Sequence, residues 1–176
     1  MAEKACHVVG SATQVGLTQA LGLGKTMSPS VGNVTSKMLG DAGEHYALSQ
    51  LTFAGKPASK MPDGWSGYDL AVETGHGLVR MSVKTRKETA NWKAGSWFIF
   101  DERLECDWLV FIFLPVNGAV RSWIVPFSVA RELGNNPQPT RKDPHNRDMS
   151  FAKLNREPLS RYENNWSLIR DFTAEA

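Results

Sequence analysis

The stretch Leu78, Val79, Arg80, Met81, Ser82, Val83, Lys84, Thr85 constrains the fold more than any other, because it alternates at a period of two. Val79, Met81 and Val83 share one side, and Arg80, Ser82 and Lys84 share the other. A strand of this kind must lay one face on a core. Residues 68–73 just before it also read as a strand, with the turn at residues 74–77, so the two runs pair as a hairpin. The polar side of that hairpin would carry Asp69 and Glu73 on the first strand and Ser82, Lys84 and Arg86 on the second.

The flanking sequence supplies the rest of one α/β core. Ser36 reads as an N-cap, followed by Met38, Leu39, Ala42, Tyr46, Ala47 and Leu51 at helical spacing, and Gly55 closes a helix of about five turns. Glu44 falls at the edge of that apolar stripe. The segment 56–67, rich in Pro and Gly, reads as a loop or a short irregular strand. Residues 108–114 and 120–125 are apolar runs expected as interior strands of the same sheet, separated by Pro115, Asn117 and Gly118. A short helix at 128–133 and a surface loop over 134–150 should follow. The tail carries Phe151, Leu154, Leu159, Tyr162, Trp166, Leu168 and Ile169, enough apolar surface to dock on the domain.

A chain of 176 residues, 41% of them hydrophobic, suits one core with a loose terminal segment. Residues 1–35, rich in Gly, Ser, Thr and Ala, are expected as a flexible arm, ahead of one domain over 36–172 whose 134–172 extension packs back on it. Gly22, Leu23, Gly24, Lys25 and Thr26 imitate part of a phosphate loop, but Gln19 stands where its first glycine belongs. No run approaches the ~20 apolar residues of a membrane span, and no secretory signal opens the chain, so a cytoplasmic protein without membrane contact is expected. Cys6 and Cys106 are far apart and the four histidines share no ligand spacing, which argues against a zinc site or a disulfide framework.

The net charge of +2 is unevenly spread. Arg80, Lys84, Arg86, Lys87 and Lys93 face a single Glu88, whereas Asp101, Glu102, Glu105 and Asp107 oppose Arg103. That polarity suits a polyanion-binding face and an acidic back, and it also suits a solvated surface with no partner.

A carboxylate beside a lysine on adjacent strands, with a helical glutamate nearby, is a set that phosphodiester cleavage can use. Carboxylates hold a divalent metal, the metal activates water, and the lysine offsets charge on the phosphate. The order of parts resembles the PD-(D/E)XK nuclease superfamily over roughly residues 36–125. Gly43 and Glu44 lie on the first helix, Gly67, Tyr68, Asp69 and Leu70 open a strand, and Ser82, Val83, Lys84 and Thr85 lie on the next.

The resemblance implies a restriction-endonuclease-like fold, a mixed sheet flanked by helices, and cleavage of DNA ahead of RNA with Mg²⁺ or Mn²⁺, in a chain that could act as a homodimer. It implies Asp69 as central metal ligand, Glu44 as the helical acid, the Val83 carbonyl as a backbone metal contact and Lys84 as the motif lysine. Ser82 departs from the pattern, standing where an acidic residue or Gln is usual, and is assigned to orienting a water. Arg86, Lys87 and Lys93 would contact phosphates along the approach. Two other readings stay open: a nuclease-fold protein that binds nucleic acid or protein without cutting, and a regulatory subunit using Trp97, Phe98, Ile99 and Phe100 as an interface. A simple ion pair between Asp69 and Lys84, or between Glu44 and Lys37 or Lys60, is the bland account of the same residues.

Overall fold

Helix α1 (Ser36–Phe53) starts one residue earlier than its sequence suggests, because Thr35 rather than Ser36 supplies the cap: its side chain accepts a 3.2 Å hydrogen bond from Met38 N–H. The helix ends in a Schellman motif. Gly55 takes φ +72°, its N–H bonds to the Thr52 carbonyl, and Lys56 N–H reaches back to the Leu51 carbonyl. The computed structural model describes residues 34–93, 96–136 and 142–169. The arm expected over residues 1–35, apart from Val34 and Thr35, and the 22–26 string lie outside them.

The hairpin forms where the alternation placed it. Strand β2 (Leu70–Thr74) pairs antiparallel with β3 (Gly77–Lys87), in a register that sets Leu70 against Met81 and Val72 against Val79. A short β1 (Ala58–Lys60), from the segment read as loop or irregular strand, pairs on the outer side of β2. Strand β4 (Trp97–Asp101) leaves the sheet, and β5 (Trp108–Leu114) returns parallel to β3. Strand β6 (Arg121–Pro126) pairs antiparallel with β5, giving a mixed five-stranded sheet in the order β1-β2-β3-β5-β6.

Burial explains the unbroken apolar run of β5, which is covered on both faces. Trp108, Val110 and Ile112 join Ala47 and Leu51 of α1 in one core, while Leu109, Phe111 and Phe113 pack into a second core with Phe98 and Phe100 of β4. Helix α2 (Phe127–Leu133) adds Phe127 and Ala130 to the second core.

Two expectations require correction. Strand β6 is buried, yet it is the sheet's edge rather than an interior strand, and the tail covers it: Trp123 bridges to Glu163, and Asn164 N–H bonds to the Ser122 carbonyl. The segment 134–150 is not all loop, because β7 (Asn146–Ser150) pairs antiparallel with β4 in a separate two-stranded sheet. The short helix α3 (Phe151–Leu154) follows, and beyond it Leu159 reaches the second core while Trp166 and Ile169 reach the first. Among the described residues no helix is long and apolar enough to cross a membrane.

Candidate active site

Asp69 sits at the mouth of the hairpin, one residue before β2. Its backbone N–H bonds at 2.8 Å to the carbonyl of Met81, the residue already paired with Leu70, so the chain slips out of the ladder register at Asp69. Asp69 Oδ2 accepts from the Ser82 hydroxyl at 2.9 Å and from the Val83 backbone N–H at 2.6 Å. Lys84 Nζ donates to Ser82 Oγ at 2.9 Å and stands 3.9 Å from Asp69 Oδ2. The serine therefore joins the acid to the lysine. Ser82 is 1% exposed, and its one hydroxyl proton is committed to Asp69.

Glu44 reaches the neighbourhood through a close helix–sheet contact. A Cβ on Gly43 would lie 1.8 Å from Thr85 Oγ1, so only glycine lets the α1 backbone descend onto β3 beside Lys84. Glu44 and Asp69 then line one open cleft of about 310 Å³, together with Asp41, Asp63 and Tyr68. Glu44 makes no hydrogen bond or ion pair with Asp69, Ser82 or Lys84; its Oε2 is held 3.1 Å from Lys60 Nζ. The Lys60 partnership weighed from sequence is thus present, and the Asp69–Lys84 pair is longer than the Lys84–Ser82 bond.

Sequence reading missed the electrostatic frame of this cleft. Lys60 also lies 3.1 Å from Asp63 and 3.5 Å from Asp41, and Lys37 bonds Asp63 at 2.7 Å and Asp41 at 3.0 Å. Hydrogen bonds from Lys37 and then Lys60 pull the Asp63 carboxyl down to about 2, and those from Asp63 and Glu44 raise Lys60. The spacing of Lys37, Asp41 and Glu44 on one face of α1 was the available signal. Four carboxylates against the Lys37, Lys60 and Lys84 ammonium groups leave the cleft one charge negative, which favours a cation.

Asp69 Oδ1 and Glu44 Oε1 accept no hydrogen bond from the described residues. Backbone alternation turns the Val83 carbonyl to the same side as its N–H, toward the point where β2 leaves the ladder. Hard oxygens of this kind fit Mg²⁺ or Mn²⁺, which takes one or two protein carboxylates and completes its shell with water and phosphate. Among the described residues no three His, Cys, Asp or Glu side chains converge as a denser metal cluster.

Arg86 follows Lys84 on the same side of β3, and Arg86 and Lys87 line a second groove of about 340 Å³ with Trp92 and Trp97. Lys93 is exposed on the following loop and does not line that groove. Arg80 belongs elsewhere, gripping Asp107 through two side-chain bonds. The acidic back expected from residues 101–107 is largely neutralised: Arg103 holds Asp101, Arg147 holds Glu102, and Arg80 holds Asp107. Cys106 is a buried free thiol pushed up to about 12 by that burial, so it offers no thiolate near neutrality.

The fold is that of restriction-endonuclease-like proteins, a mixed sheet flanked by helices. It is similar to the bacterial homing endonuclease I-Ssp6803I over 77% of this chain and 91% of that one, with a TM-score of 0.51 and 16% identity. At that identity the likeness establishes the fold alone. The Holliday junction resolvase Hjc of Archaeoglobus fulgidus aligns over 63% of this chain and 83% of its own, with a TM-score of 0.38 and 16% identity. No family model matches the sequence, and no curated protein sequence does.

Proposed function

We propose that this protein is a Mg²⁺-dependent endonuclease that hydrolyses phosphodiester bonds in DNA, with Asp69, Glu44 and the Val83 carbonyl as metal contacts and Lys84 as the charge-stabilising residue. The observation that carries the proposal is the connected set Asp69–Ser82–Lys84 on adjacent strands, opening into a cleft that Glu44 shares. The bound ion would act as a Lewis acid on the phosphate and lower the pKa of a water.

The chain's own residues divide the remaining work. Asp69 spends Oδ2 on Ser82 and Val83, which fixes its carboxylate plane and leaves Oδ1 for a ligand. Lys84, tethered by one N–H to Ser82, has further donors to offer a non-bridging phosphate oxygen. Ser82 sets the distance between acid and lysine, a positioning role that takes the place of the water-orienting one inferred from sequence. Arg86 and Lys87, with Lys93 beyond them, supply phosphate contacts that place the strand without reading its bases.

The test is cleavage of linear, branched and single-stranded DNA with Mg²⁺ and Mn²⁺. Wild type should cut. Lys84→Met should lose about 100-fold or more in rate, the cost of removing one donor to developing charge, and Asp69→Asn should lose at least as much. Ser82 and the Lys60 hold on Glu44 favour a second reading, a protein that binds DNA without cutting. Salt-sensitive binding with no cleavage in either metal would establish that reading and sink the first.

A further inference from the structure

Trp97 is 48% exposed, and no ring contact engages it among the described residues. Trp92, on the same groove, is packed against Phe113 at 4.7 Å and Phe151 at 5.5 Å. Trp97 thus leaves a broad apolar ring face at the rim of a groove whose other walls are Arg86, Lys87, Thr89 and Ser96. Among the described residues no acidic side chain lines that groove and neither cation has a carboxylate partner, whereas Arg80, Arg103, Arg121 and Arg147 are each held by one.

A ligand that matches both features is flat and apolar on its face and anionic at its edge. A nucleotide has that form: its base stacks on indole while its phosphate meets the cations. In a continuous duplex each base face is covered by its neighbours, so an indole at a groove rim reaches only a base that is unpaired. Ser82, Lys84 and Arg86 alternate along one side of β3, which sets Arg86 about 13 Å along the strand from Ser82, within reach of a neighbouring nucleotide of one bound strand.

We infer that Trp97, with Arg86 and Lys87, forms a stacking subsite for an unpaired nucleotide, so that the substrate class is DNA with a single-stranded segment next to the cleaved bond. This rests on the nuclease reading for its link to cleavage, but the subsite itself binds without metal. An acidic protein segment is the other occupant such cations admit; the shared side of β3 favours nucleic acid.

The experiment is fluorescence anisotropy in EDTA with three labelled probes: an oligothymidine strand, the same strand with abasic sites, and a duplex. Wild type should bind the intact strand about tenfold more tightly than the abasic one, the scale of one base–aromatic stack. Trp97→Leu should erase that difference, and Trp97→Phe should keep part of it. Equal affinity of wild type for intact and abasic strands, or a base dependence that survives Trp97→Leu, overturns the inference. Base-dependent binding by a protein that cuts nothing removes the nuclease reading and leaves the subsite standing. Cleavage by a protein with no base dependence does the reverse.

Discussion

Ser82 is the residue on which the chemistry turns. Its hydroxyl gives to Asp69 and receives from Lys84 inside a nearly closed environment, so Ser82→Ala should cost about 1–2 kcal/mol of stability as both bonds go unmade. Chemical denaturation measures it. Ser82→Asp asks a sharper question, because it sets a second carboxylate against Asp69. Like charges at that distance should make the variant less stable than wild type in EDTA, and added Mg²⁺ should raise its Tm by more than it raises wild type's. An unchanged response to Mg²⁺ would count against a metal at Asp69. Asp63 is the residue whose titration reports on the cleft. With its folded-state pKa depressed to about 2, it contributes stability that is fully present above the ordinary value of 3.8 and lost as pH falls toward about 2. Carboxyl NMR should show that midpoint, and Lys37→Met should move it upward, since Lys37 is the larger cause.

At the scale of elements, the contact between α1 and β3 decides whether Glu44 can share the cleft. A methyl on Gly43 would collide with Thr85 Oγ1 at 1.8 Å and Thr85 Cβ at 2.9 Å. Gly43→Ala should therefore cost about 1–3 kcal/mol as the helix is pushed off the sheet, and Thr85→Ala in the same chain should recover part of it. Thr85 Oγ1 is buried with no partner, so that second change gives up no hydrogen bond. A full, unrescued loss in the double variant would show that the backbone itself cannot approach. The hairpin behind this contact was legible because its pairing is local, and the two-residue alternation could be counted. Strand β7 was not legible: its partner β4 lies some 50 residues earlier, and Asn146, Arg147 and Asp148 carry no apolar period.

At the scale of the whole molecule, the tail completes both cores. Trp166 is 7% exposed in the core beneath α1 and meets Tyr46 edge-on with ring centroids 6.5 Å apart, so Trp166→Ala should cost about 3–5 kcal/mol, read as a lowered denaturation midpoint. Arg121 ties the same tail to β6, bonding Glu163 at 2.6 Å and 2.8 Å and lying 4.7 Å over the Trp123 ring. The sequence by itself determined what depends on neighbours along the chain: α1 with its closing Gly55, the β2–β3 hairpin, the doubly covered β5, and the placing of Ser82, Lys84 and Arg86 on one side of β3. Only the tertiary structure decided what depends on distant partners. It gave Glu44 to Lys60, drew Arg80 to Asp107, capped the β6 edge with Glu163 and Asn164, and left Trp97 open beside Arg86. The physical reason is that alternation and capping are properties of a few adjacent residues. Which long side chain meets which, and which ring stays bare, depends on where loops of different length bring the elements together.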